Sequence, residues 1–187
     1  HTISYILYKY YINNILKDKL RHQMKIEKKL NTINENEFTT IFGSIFEKSE
    51  WIAIETFKQK PFKNSKDLID KMLKIYDSCS IDKVTNILNL HPKLAIEKKL
   101  TSFSTKEQTE AKLDKCSKEE LEEFNKLNFN YEKKFQFPFI IAVKGKNKNE
   151  ILKNFRSRIN NNYETEFQEA KNQVMKIALF RLNEILK

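Results

Sequence analysis

The chain has very few of the residues that reverse a backbone. Its 187 residues include two glycines (Gly43, Gly145) and three prolines (Pro61, Pro92, Pro138). A β-sandwich or barrel needs a turn signal roughly every 8–12 residues, and that supply is missing. A Gly-rich phosphate loop, a G-x-S-x-G elbow and an H-E-x-x-H helix are also absent, which removes the usual sequence marks of nucleotide, serine-hydrolase and zinc-protease chemistry. After residue 22 there is one histidine, His91, and the cysteines, Cys79 and Cys116, lie far apart. Such a set cannot supply a usual zinc site, and two scattered cysteines suit a reducing compartment. No run of 18 uncharged apolar residues occurs, so no membrane span is expected. TISYILYKYYINNIL comes closest, but Lys9, Asn13 and Asn14 interrupt it, and it reads better as an amphipathic helix packed on the domain.

What the chain has is apolar residues at 40% and charge at 32%, a balance that suits amphipathic helices around a core. The length fits one domain. Net charge is +10, yet Lys and Glu mix along the same stretches, as in LEEFNKLNFNYEKK, so the charge reads as a solvated surface. No nucleic-acid recognition motif or basic stripe stands out. A non-catalytic basic helical domain is the rival class to an enzyme.

Hydrophobic spacing is helical along most of the chain. Met24 reads like a natural start, which makes residues 1–23 an N-terminal extension and 24–187 the domain. Thr32 or Asn34 can cap a helix through Phe38 and Phe42. FGSIFEKSEWIAIETFKQKPF continues with apolar residues on buried faces until Pro61, and Ser65 caps KDLIDKMLKIYDSC. Residues 81–90 form a short helix closed by His91-Pro92, because the residue before proline is biased away from helix. Ser104–Glu107 and Ser117–Glu120 both have the capping-box spacing. FQFPFIIAVKGK reads equally as strand or buried helix, and the last stretch reads as two helices broken near Asn160–Asn162.

Chemistry centres on His91, since an imidazole at a helix terminus exchanges protons near neutral pH. Ser104, Glu107 and Gln108 follow in STKEQ, and Arg158 lies in FRSRINN. Each also has an ordinary reading as a cap, a helix surface or a helix-end charge. Spacing alone does not separate a site from four such features.

Five pieces in order, GSIFEKSEWIA, HPKLA, STKEQTEAKLD, LNFNYEKKFQFPFIIAVKGK and EILKNFRSRINNN, resemble the 2-oxo-4-hydroxy-4-carboxy-5-ureidoimidazoline (OHCU) decarboxylases of urate breakdown. The resemblance spans residues 24–187. It implies an all-α single-domain bundle, commonly a homodimer, that converts OHCU to S-allantoin without metal or other cofactor. It also turns the FPFIIAV segment toward helix. Carried over residue by residue, the family's catalytic histidine falls on His91, its acid on Glu107 and its arginine on Arg158. Pro92, Ser104 and Gln108 fall among the substrate contacts. The backbone wall against the substrate falls on Phe139, Ile140, Ile141, Ala142 and Val143, and Trp51 matches a recurrent packing aromatic.

The residue types suit that reaction. Loss of CO2 leaves electron density on carbon, which Arg158 and backbone donors can stabilise while His91 manages the proton. Glu107, Gln108 and Ser104 would hold the ureido arm. Three positions depart from the family pattern: Lys93 replaces an acidic residue, and Gln136 and Lys112 replace glycines. Lys93 could attract an anionic substrate, and Gln136 gives up easy access to positive φ. The C-terminal NEILK carries no Ser-Lys-Leu-type address and no export signal is present, so cytoplasm is the expected location.

Overall fold

The computed structural model describes residues 28–96 and 100–187. The expected extension 1–23 and the Met24 start lie outside these described residues. Residues 28–32 are helical, and eight α-helices follow: α1 (Glu35–Phe42), α2 (Trp51–Phe57), α3 (Ser65–Asp77), α4 (Ile81–Asn89), α5 (Ser102–Glu110), α6 (Lys118–Phe135), α7 (Lys148–Arg158) and α8 (Tyr163–Ile185). A 3-10 turn, Leu113–Lys115, joins α5 to α6. No strand occurs among the described residues, so the fold is all-α.

Caps set most of the boundaries. Asn34, Ser117 and Asn147 each form a reciprocal box with a glutamate three residues on, Glu37, Glu120 and Glu150. Asn64, one residue before the expected Ser65, caps α3 by accepting from the Asp67 amide at 2.9 Å. Asn162 caps α8 within the expected break. Each such cap stabilises its helix by about 1 kcal/mol.

Helix α8 is the spine, with α3, α4 and α6 packed along it, while α1, α2 and α3 pack in succession. Two aromatic clusters fill the interior. Phe38, Phe42, Phe57 and Phe62 form one group, and Tyr131, Phe135, Phe137, Phe139 and Phe155 the other. Trp51 is half-buried against the core, with the Lys83 ammonium over its ring at 4.8 Å.

Two segments differ from the sequence expectation. Residues 43–50 form consecutive turns rather than helix, and α2 stops at Phe57, before Pro61. Residues 137–143, drawn toward helix by the family resemblance, are neither helix nor strand. All seven of these residues are buried. Pro138 removes one amide donor. Side chains take two of the remaining backbone groups: Arg158 Nη1 donates to the Ile140 carbonyl at 2.8 Å, and the Ala142 amide donates to Gln173 Oε1 at 2.9 Å.

Gln136 and Lys112 both adopt the left-handed conformation, at φ 62° and φ 58°. Gln136 closes α6 there, a C-terminal position where glycine carries no Cβ penalty. The fold keeps the turn and tolerates the side chain. Replacing Gln136 by Gly should raise stability by about 0.5–1 kcal/mol after allowing for the lost side-chain bond and the looser unfolded chain. Urea unfolding checks this, and an unchanged or lower midpoint would contradict it.

Candidate functional site

His91 sits just past α4, its amide donating to the Leu88 carbonyl at 3.1 Å. Its ring turns back on the helix, and Nδ1 lies 2.8 Å from the Ile87 carbonyl. A carbonyl oxygen only accepts, so Nδ1 carries the hydrogen and the neutral ring presents a bare Nε2. That nitrogen is buried without a hydrogen-bond partner. Burial pushes the imidazole pKa down to about 4, against opposing pulls from the Ile87 carbonyl and Glu47, while the Arg181 charge adds to the lowering. At neutral pH this is an uncharged base.

Helix α5 supplies the next three groups. It begins at Ser102 with Thr101 as its cap, so Ser104 lies inside the first turn and its hydroxyl is released from capping. Ser104 Oγ instead donates to Glu47 Oε2 at 3.0 Å and accepts from Arg181 Nη2 at 3.2 Å. One turn on, Glu107 receives Arg181 in a two-point pair, from Nε at 2.7 Å and Nη2 at 2.8 Å. Gln108 Oε1 accepts from the Ala95 amide at 3.0 Å, tying α5 to the loop after His91. This anchors Pro92 and leaves the Gln108 NH2 group for the cavity that the side chain lines.

These groups line one small cavity that opens to solvent. His91, Ser104, Glu107, Gln108 and Arg181 form its polar side, and Pro92, Phe139, Ile140, Ile141 and Val143 its apolar wall. The structure thus gathers nearly all the sequence-selected residues. Ala142 turns away, its amide on Gln173 and its side chain toward a neighbouring cavity.

Arg158 does not line the cavity. It is buried behind the wall, with Nε and Nη2 donating to Glu166 Oε1 at 3.0 and 2.6 Å. Tyr131 and Asn161 donate to the same carboxylate. The guanidinium at the cavity is Arg181, near the end of α8. It is 2% exposed. Burial works against its charge, but Glu107 and Glu47 outweigh that and hold its pKa above the ordinary arginine value. Glu47, from the 43–50 turns, is as deeply buried. Sequence reasoning missed both residues. The available signal was a charged residue in core-facing register: Arg181 follows Val174, Ile177 and Ala178 on the buried face of α8. Arg158 has the same register in α7, after Ile151, Leu152 and Phe155, so spacing could not say which guanidinium meets the cavity.

Lys93, which replaces an acidic residue in the family, does not reach the cavity lining. It pairs with Glu132 on α6 at 2.8 Å. Among the described residues no three His, Cys, Asp or Glu side chains cluster as a metal site, and no helix is long and apolar enough to cross a membrane.

A helical scaffold that brings a neutral imidazole, a carboxylate and a guanidinium to one small cavity defines a structural class: all-α proteins with acid–base groups gathered at a single cavity. Within that class the family model described as OHCU decarboxylase matches residues 31–183, and the chain belongs to that family. It is 38% identical over 160 residues to a uric acid degradation bifunctional protein of Bacillus sp. (strain TB-90), covering 86% of this chain and 32% of that protein. The chain therefore spans about a third of the bifunctional relatives it matches. A 2-oxo-4-hydroxy-4-carboxy-5-ureidoimidazoline decarboxylase of Haloferax volcanii is 32% identical over 163 residues, 87% of this chain and 96% of that one. Among solved structures, an (S)-allantoin synthase superposes with TM-score 0.71 at 28% identity, over 86% of this chain and 53% of that chain.

Two outcomes follow from these environments. Arg158→Met strands the buried Glu166 charge, and should cost about 3–5 kcal/mol of stability in chemical denaturation; a loss under 1 kcal/mol would mean the pair is dispensable. His91 has a folded pKa below its unfolded value, so its contribution is fully present above pH 6.5 and is lost as pH falls toward about 4. The loss should reach on the order of 3 kcal/mol. Unfolding measured across that window should be flatter for His91→Gln than for the parent.

Proposed function

We propose that this chain decarboxylates OHCU to (S)-allantoin in urate breakdown. The observation that carries the reading is the bare, buried Nε2 of His91 at a small cavity that also holds Glu107 and Arg181. The substrate's name puts a hydroxyl and a carboxylate on one ring carbon, beside the carbon bearing the ureido group. Nε2 accepts the hydroxyl proton as the carbon–carboxylate bond breaks and CO2 leaves. The bonding pair moves into the ring, toward the ureido-bearing carbon and its ring nitrogen. Arg181, rather than the Arg158 of the sequence reading, supplies the positive charge that stabilises this density in a water-poor site. The hydroxyl oxygen becomes a carbonyl, the imidazolium returns its proton to the ureido-bearing carbon, and a solvent proton balances the charge.

Glu107 and the Gln108 NH2 group suit the ureido arm, one as acceptor and the other as donor. Phe139, Ile140, Ile141 and Val143 line the same cavity and limit which ring face receives the proton. Orientation of this kind supplies a large part of the acceleration. Cofactor-free operation, a homodimer and a cytoplasmic location belong to the same proposal; they rest on the family resemblance and the sequence composition.

The test follows freshly prepared OHCU directly, with CO2 release and circular dichroism of the product as readouts. The parent should give optically active allantoin at a rate a chelator does not change. His91→Gln should lower kcat by about 10²–10⁴-fold. Racemic allantoin at the spontaneous rate from the folded parent would reject the reading.

A further inference from the structure

We propose that Glu47 is a positioning residue for this reaction, holding Arg181 and Ser104 from behind the cavity while the substrate takes over the opposite edge of the guanidinium. The inference rests on the decarboxylase reading above and assigns a residue that the reading does not use.

An arginine has five N–H donors in a fixed fork, and those of Arg181 are all engaged. Nε and Nη2 face Glu107, Nη2 also reaches Ser104, and Nη1 is shared among Glu47 Oε2 at 3.3 Å and the carbonyls of Ser44 and Ile45 at 3.3 and 3.2 Å. An incoming anionic group can gain a donor here only by displacing a protein acceptor. The two edges differ in how freely they yield. Glu107 lines the cavity and its side chain is 24% exposed, whereas the Glu47 side chain is 1% exposed and lies outside the lining. Glu107 is the partner that exchanges, and it can then turn to the ureido N–H groups.

That exchange leaves Arg181 in place only if its other edge is held by a charge. Glu47 meets the requirement twice, through Nη1 directly and through the Ser104 hydroxyl, which bridges Glu47 Oε2 and Nη2. Its second oxygen, Oε1, is buried with no hydrogen-bond partner. A carboxylate kept only for packing would be costly in that state. Residues 43–49 form the tight turns that bring it there, and the Gly43 amide donates to the Thr39 carbonyl at 2.7 Å at their start. The carboxylate also lies close enough to favour the charged form of His91. Glu47 from the turns and Arg181 from α8 act on that ring, and Glu107 from α5 lines the same cavity.

The experiment compares Glu47→Gln and Glu47→Asp with the parent in steady-state OHCU turnover across pH, alongside thermal unfolding. Glu47→Gln keeps the shape and one acceptor but removes the charge. Its kcat should fall by about 10–100-fold with a smaller change in KM and little change in Tm. The acid limb of kcat/KM, set by His91, should move to lower pH. Glu47→Asp retains the charge and withdraws it by one methylene, so kcat should fall while the acid limb stays at the parental pH. Parental kcat and pH profile in Glu47→Gln, or a loss accounted for wholly by unfolded protein, would overturn the proposal. Should Glu47→Gln fail to fold, parental kcat in Glu47→Asp overturns it instead. An inactive parent defeats both readings, whereas an active parent with an equally active Glu47→Gln defeats this one alone.

Discussion

The structure turns on one buried charge, the guanidinium of Arg181. It is held between Glu107 on α5 and Glu47 in the 43–50 turns, with the Ser104 hydroxyl between. Removing both carboxylates would leave the guanidinium in the core without compensation, an arrangement proteins avoid strongly, whereas either one alone still pairs it. The cluster therefore does more than decorate the cavity. It ties three distant parts of the chain together and fixes which side of α5 faces inward. The same constraint explains why Ser104 is not a cap: α5 begins two residues earlier, at Ser102, under Thr101.

A second buried arginine shows how similar chemistry takes a different role. Arg158, Glu166, Tyr131 and Asn161 form a network behind the wall, and Arg158 stacks over Phe139 at 4.5 Å while binding the Ile140 carbonyl. With the Gln173 bond to the Ala142 amide, this substitutes for a sheet neighbour. A buried irregular segment without such partners would carry unpaired backbone groups. The wall is irregular, yet side chains pair these two of its buried backbone groups.

His91 needs no long-range partner to become a base. The end of α4 gives its Nδ1 a carbonyl, and Pro92 turns the chain away immediately afterwards. The tautomer is thus a local consequence of helix geometry. The pKa is not, because it depends on the surrounding core and on the opposed charges of Glu47 and Arg181.

The sequence by itself determined the helical class and most helix boundaries, while His91, Glu107, Ser104 and Gln108 were grouped only by the family resemblance and share one cavity through the packing of the helices. Helix periodicity, caps and the His-Pro stop are local properties, expressed within a few residues of the side chains that cause them. The 137–143 segment and the choice between Arg158 and Arg181 were decided only by the tertiary structure. Both arginines have the same core-facing spacing, and the irregular wall has no local pattern of its own. What separates them is which buried acid each one meets, Glu166 for Arg158 and the Glu107–Glu47 pair for Arg181. Those acids lie as many as 134 positions away along the chain, and only the packing of the helices brings them into reach.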